Sequence, residues 1–286
     1  MKTPETILVC TDGSAYGEVC LRYAAWAAKR MEATLDVLYV TDIRQFEVPL
    51  VADLSGTLGL QPYQDLLAQL QKLEDSKAEI IGKRSLEVLD QAGIPGEQVS
   101  FHHRTGLLVE IVGEFEERGS RMVMLGKRGE RFEQAPEHLG ASMERVVRSA
   151  SKPCLVTSRA FREPRQVLFA YDGGPTCRRA LDYLVGDPVW KDLGLQVVHV
   201  AEAPDESARE LLAEAAQELT RAGYTPRTHL VAHDRPEEAV ARMVEERGID
   251  LLIIGAYGHS RIRQLLIGSV TTTLLRTCRV PVLCFR

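Results

Sequence analysis

The chain has no Cys-x-x-Cys pair, no marked excess of one charge and no apolar run long enough for a bilayer, and each absence removes a class of function. Its six cysteines, Cys10, Cys20, Cys154, Cys177, Cys278 and Cys284, lack the spacing of a zinc or redox site. Cys10, Cys154 and Cys284 fall in apolar, strand-like runs and read as buried, reduced thiols. With 35 basic and 40 acidic side chains the formal net charge is −5, which recruits neither nucleic acid nor an anionic membrane surface. Near the end, the longest uncharged run, Gln264 to Leu275, is too short to span a bilayer. The opening MKTPETILVCTDGS reaches Asp12 after too brief an apolar run for a signal peptide. A cytoplasmic location is expected. Two nucleotide fingerprints are also missing: there is no G-x-G-x-x-G, and no lysine stands before Ser269 to make a P-loop.

What is present is a repeat. A chain of 286 residues, 45% hydrophobic and 26% charged, is an ordinary globular composition with room for about two domains of the usual ~100–200 residues. TILVCTDG at Thr6 to Gly13 matches QVLFAYDG at Gln166 to Gly173, which puts Asp12 over Asp172 at an offset of 160. Leu35 to Val40 lies over Leu195 to Val200 at the same offset. GSRMVMLG at Gly119 to Gly126 then matches GIDLLIIG at Gly248 to Gly255 at an offset of 129, so the first copy holds 31 extra residues between Val40 and Gly119. The domains expected are 1–158 and 166–286, joined by a linker over 159–165.

Periodicity gives both copies the same alternation of strands and helices. In the first copy the strands are Ile7 to Thr11, Leu35 to Val40, Val99 to His103, Arg121 to Leu125 and Cys154 to Ser158. Its helices are Gly17 to Met31, Tyr63 to Ala92, Leu108 to Arg118 and Ser142 to Ala150, with a Gly- and Pro-rich loop from Asp42 to Gln61 before the long second helix. The second copy has strands Val167 to Tyr171, Leu195 to Val200, Thr228 to Ala232, Asp250 to Ile254 and Val280 to Phe285. Its helices are Cys177 to Val185, Asp205 to Ala222, Glu237 to Arg247 and Ser269 to Thr277. Apolar strands alternating with helices predict an α/β fold with an open parallel sheet covered on both faces. Ligands of such sheets sit beyond the carboxyl ends of the strands at the switch point; Asp172 ends the first strand of its copy and Gly255 the fourth, and the two flank one crevice if those strands are neighbours.

The stretch LLIIGAYGHSRIRQLLIGSVTTTLLR, Leu251 to Arg276, carries the chemistry. Its spacing is G-x2-G-x9-G-S, with Gly255, Gly258, Gly268 and Ser269. Glycines allow close approach of a backbone to a ligand, and the free N–H groups of a helix start attract anions, so the arrangement suits phosphates. His259, Arg261 and Arg263 fall inside the loop as candidate phosphate contacts. Elsewhere, His102 and His103 are adjacent in a strand. His229 and His233 are four residues apart, a spacing that shares a face on a helix and not across a strand end.

Both halves resemble the universal stress protein family, and the chain resembles a tandem member. The match rests on the strand ends at Asp12 and Asp172, those at Val40 and Val200, the G-x2-G-x9-G-S run, and the final strands after Pro153 and Pro281. The resemblance implies two Rossmann-like five-stranded sheets of order 3-2-1-4-5. The final strands, Cys154 to Ser158 and Val282 to Phe285, are apolar edges at the end of each repeat and predict that the halves pair through them as a pseudo-dimer, with a homodimer left open. In ATP-binding members the aspartate and the second-strand valine hold the nucleoside, and the glycines and serine hold the phosphates. By position this implies Ala170, Asp172, Val200, Ile254, Gly255, Gly258, Gly268, Ser269 and Val270 as an ATP site, with or without Mg²⁺.

The first half departs from that pattern. Gly126 and Gly129 keep their spacing, but ten residues, Glu130 to Leu139, precede Gly140, and Ala141 stands where the serine should follow. Glu130, Glu133, Gln134 and Glu137 crowd the loop and disfavour a polyphosphate, which Lys127 and Arg128 offset in part. One ATP in the C-terminal half is therefore expected, in a stress-response or regulatory module. No nucleophile, base and orienter constellation stands out. Two rival readings remain: a slow ATPase or phosphotransferase using Asp172 and Mg²⁺, and a scaffold that takes a non-nucleotide ligand in its first half.

Overall fold

Short apolar runs bounded by polar turns become strands buried on both faces, and the amphipathic runs between them become the helices that cover those faces. A computed structural model describes residues 5–42, 60–127, 140–257 and 269–286. The first half runs β1 (Thr6–Cys10), α1 (Ala15–Met31), β2 (Thr34–Thr41), α2 (Leu60–Gln91), β3 (Val99–Thr105), α3 (Leu108–Glu117), β4 (Ser120–Gly126), α4 (Ala141–Ser149) and β5 (Cys154–Thr157). The second repeats the order as β6 (Gln166–Ala170), α5 (Pro175–Gly186), β7 (Gly194–Ala201), α6 (Glu206–Arg221), β8 (Arg227–Ala232), α7 (Pro236–Glu246), β9 (Leu251–Gly255), α8 (Ser269–Thr277) and β10 (Val282–Phe285).

Departures from the sequence boundaries have local causes. α1 starts at Ala15, ahead of the expected Gly17, because the Ser14 hydroxyl accepts from Gly17 N at 3.2 Å and caps the helix. β10 starts at Val282 and not Val280, since Pro281 has no N–H for the ladder; its carbonyl still accepts from Leu252 N at 3.0 Å. Most of the loop expected over 42–61 lies outside the described residues.

Each half has the expected strand order 3-2-1-4-5, but they do not remain two sheets: the strands form one ten-stranded sheet, β3-β2-β1-β4-β5-β10-β9-β6-β7-β8. All pairings within a half are parallel, and the halves meet through the antiparallel pair β5 and β10, with Cys154 opposite Cys284 and Leu155 opposite Leu283. Each final strand is the apolar edge of its own half. Pairing satisfies both rows of edge N–H and C=O groups at once.

Alternate strand residues feed two cores. Ile7 and Val9 pack with α1, α2, α5 and α6, whereas Leu8 and Cys10 pack with α3, α4, α7 and α8. Each core contains residues of both halves, so burial is continuous across the seam. The linker is pinned as well: Tyr23 Oη accepts from Arg162 N at 3.2 Å, and Asp250 Oδ2 accepts from Arg165 N at 3.2 Å and Gln166 N at 3.1 Å.

Candidate functional site

The carboxyl ends of β6, β7 and β9 meet at a change of direction. From β6 the chain passes to β7 on one side, while β9 flanks β6 on the other, which makes the crevice between β6 and β9 the switch point of this half. Ala170 lies in register with Ile254 on one side and with Val198 on the other. Ala170, Val200 and Ile254 all belong to the core face shared with α7 and α8. The structure therefore brings Ala170, Val200, Ile254 and Gly255 together at one strand-end edge.

Beyond β6 the backbone turns sharply into α5. Gly173 takes the left-handed conformation, φ +75°, and the exposed Asp172 accepts from Gly174 N through Oδ1 at 2.8 Å. His199 contributes from β7, its Nδ1 lying 2.8 Å from the Tyr171 carbonyl oxygen. Asp172 thus sits at the mouth of the crevice on a fixed turn, beside the N-terminus of a helix that starts with Pro175.

Gly255 has a reason the sequence did not reveal. A Cβ there would lie 2.5 Å from Thr176 Oγ1 and 2.7 Å from both N and Sγ of Cys177. The missing side chain lets the end of β9 approach the first turn of α5, so this glycine serves packing inside the protein. The Cys177 thiol donates to the Ala170 carbonyl at 3.4 Å, and burial, aided by the Asp172 charge, pushes its pKa up to about 12. It is an inert thiol lining the site.

Ser269 opens α8, whose Leu274 and Leu275 share a core with Ala170, Val200 and Ile254, and Val270, 39% exposed, follows Ser269. Gly258 and Gly268, with His259, Arg261 and Arg263, lie outside the described residues. His229 Nε2 faces Gln196 Oε1 at 3.0 Å, whereas His233 pairs with Asp234 and Arg242, so those two histidines do not converge. His102 likewise pairs with Asp36 and His103 with Thr41. Among the described residues no group of three His, Cys, Asp or Glu side chains could hold a metal ion.

Tyr257 was missed by sequence reasoning. It is a non-glycine residue in the left-handed region, φ 57°, two positions past Gly255. Its N–H reaches Thr271 Oγ1 in α8 at 3.4 Å, and the Arg148 guanidinium of the first half covers its ring at 4.8 Å. An aromatic side chain between two loop glycines was the available signal; its partner 109 positions earlier left none.

The sequence model of the universal stress protein family matches residues 4–158 and, a second time, residues 164–286. The chain belongs to the universal stress protein family. It is 42% identical to the universal stress protein Slr1230 of Synechocystis over 294 residues, which cover 99% of this chain and all of that relative. To the universal stress protein Mb2028c of Mycobacterium bovis it is 26% identical over 303 residues, 98% of this chain and 96% of the other. A crystal structure of a universal stress protein from Archaeoglobus fulgidus shares the fold with a TM-score of 0.71 at 22% identity, over 98% of this chain and 96% of that one.

In this universal stress protein the two copies differ at the equivalent strand ends. Glu74, on the additional turns of α2, accepts from Tyr39 Oη at 2.8 Å and from Thr41 Oγ1 at 3.0 Å. The single Thr41 hydroxyl proton is then committed, so His103 Nε2, 2.9 Å away, donates to Thr41. Tyr39 and Thr41 flank Val40, the first-half counterpart of Val200. In the second half α6 begins only at Glu206, without the additional turns that carry Glu74 in α2. Gly129 and the acidic side chains of the first-half loop, Glu130, Glu133 and Glu137, lie outside the described residues, with Gln134 and Arg128. Lys127 is buried, and its ammonium donates to the Cys278 carbonyl of the second half.

Proposed function

We propose that the second half binds one ATP at the carboxyl ends of β6, β7 and β9, and that the chain works as a cytoplasmic stress-response or regulatory module with little turnover of its own. The observation that carries this reading is the convergence of Ala170, Val200 and Ile254 at the switch point where Asp172 follows β6, with α8, which starts at Ser269, packed on the same face. The apolar strand ends suit a nucleoside, Asp172 supplies an acceptor for its hydroxyls, and a helix start supplies N–H donors for phosphates. Gly258 and Gly268 complete the loop in this reading, with or without Mg²⁺.

Two features favour the second half over the first. In the first, Glu74 already occupies Tyr39 and Thr41 and adds a carboxylate where a nucleotide would bring more negative charge. Ala141 stands at the first position of α4, where the second half has Ser269. Titration with a non-hydrolysable ATP analogue should saturate near one equivalent per chain, and Gly268→Val should bind none while remaining folded. A stoichiometry near two, or one that survives Gly268→Val, overturns the assignment. Phosphate release that continues over many turnovers would instead favour a slow ATPase.

A further inference from the structure

The antiparallel join sets each half's strand-end exit against a helix of the other half. At the end of β4, Lys127 donates to the carbonyl of Cys278, the residue after α8, where a helix C-terminus favours a cation. At the end of β9, Tyr257 lies under Arg148 of α4, with the guanidinium carbon 4.8 Å from the ring centroid. Both braces lie on the same face of the sheet, and neither exists within one half alone.

The second brace acts at one of the two non-glycine residues held in the left-handed region among the described residues. Tyr257 holds φ 57° without being a glycine, a conformation that persists only where the surroundings fix it. Three contacts fix it: Ala256 N donates to Phe285 O at 2.6 Å, Tyr257 N donates to Thr271 Oγ1 at 3.4 Å, and Arg148 covers the ring. Arg148 is itself held by Glu144 Oε1 at 2.5 Å within α4. The Tyr257 hydroxyl is buried beside Thr272 and the Arg148 guanidinium, so Arg148 bears on both the ring face and the phenol oxygen.

We propose that Arg148 is a positioning residue for the nucleotide site of the opposite half: by covering Tyr257 it fixes the left-handed turn through which the chain leaves β9 toward the phosphate-binding segment. This rests on the ATP reading above. The half without nucleotide then sets the affinity of the half that binds it.

The test uses the full chain and two readouts. Hydrogen exchange of the Tyr257 amide in the ligand-free protein reads the brace without nucleotide, and Arg148→Ala should speed it while leaving strand amides protected. Unchanged exchange overturns the proposal. Calorimetry then compares a non-hydrolysable ATP analogue with adenosine, which lacks phosphates. Arg148→Ala should weaken the analogue about two- to fivefold, the range of one partly exposed cation–π contact, and leave adenosine unchanged. Tyr257→Phe, which keeps the ring and removes only the hydroxyl, should lose less than Arg148→Ala. Tyr257→Ala should lose as much as Arg148→Ala, and the double variant no more than either. Additive losses would mean that Arg148 touches the ligand itself and overturn the positioning role, as would an Arg148→Ala affinity equal to the parent's. If the parent chain binds no analogue while Tyr257 exchange still responds to Arg148→Ala, the ATP reading falls, and with it the role in binding, but the brace stands.

Discussion

Trp26 of α1 packs against Trp190 of the second half, the rings tilted by 53° with centroids 5.5 Å apart, and Arg30 lies over Trp26 while donating to the Val189 carbonyl. These are the two tryptophans of the chain, and both sit at the seam. Tryptophan fluorescence therefore reports on the joint between the halves. Because both cores run through that joint, the halves should unfold together: denaturation followed by fluorescence and by far-ultraviolet circular dichroism should give coincident midpoints. A fluorescence transition that clearly precedes loss of helix would mean the halves separate first.

The strand pair beneath this joint should be equally sensitive. Leu283 is fully buried opposite Leu155, and Leu283→Ala should cost about 2–5 kcal/mol, the usual range for a truncated core leucine. Urea unfolding measures it. A loss well under 1 kcal/mol would argue that the join contributes little.

Gly255 makes a prediction of opposite form, since there a side chain is added. Gly255→Ala would push a methyl group against Thr176 Oγ1 and the backbone N of Cys177, at 2.5 and 2.7 Å. We expect a destabilisation of about 1–3 kcal/mol from overpacking, seen as a lowered Tm in the absence of any ligand. A purely ligand-facing glycine would tolerate the change until nucleotide was added.

The thiols give a pH dependence. Burial pushes Cys10, Cys177 and Cys284 up to about 12, and raises Cys20 and Cys154 as well. Folded-state values above the unfolded value mean that the folded chain keeps protons that the unfolded chain releases. Stability is then undiminished below about pH 8.5 and falls as the pH rises toward 12. At pH 10 the loss should be about 1–2 kcal/mol for each such thiol, measured as a lower urea midpoint than at pH 7. Native protein at pH 8 should also leave all six cysteines unreacted with a thiol reagent until denaturant is added, since all six are buried and free. An unshifted midpoint, or thiols that react at once in the native state, would show that these groups are not shielded as described.

The sequence by itself determined what depends on near neighbours. Short apolar runs set the strands, Asp205 marked a helix start, and the match of Asp12 with Asp172 revealed two copies of one unit. The strand ends at the crevice, Ala170, Val200, Ile254 and Gly255, were legible because the glycine spacing and the repeated strand order carried a resemblance to a known family, whose site positions could then be read onto this chain. Pairing of the two final strands was also expected, from their apolar edges, but only the tertiary structure decided how the surfaces meet. That β5 and β10 join antiparallel into one ten-stranded sheet, that Glu74 reaches Tyr39 and Thr41, that Gly255 is small for the sake of Cys177, and that Arg148 covers Tyr257 all depend on residues far apart in the chain. Periodicity fixes which face of an element is buried, because that follows from the turn of a helix or the pleat of a strand. It carries no information on which distant side chain arrives at that face, since this is settled when the cores close together.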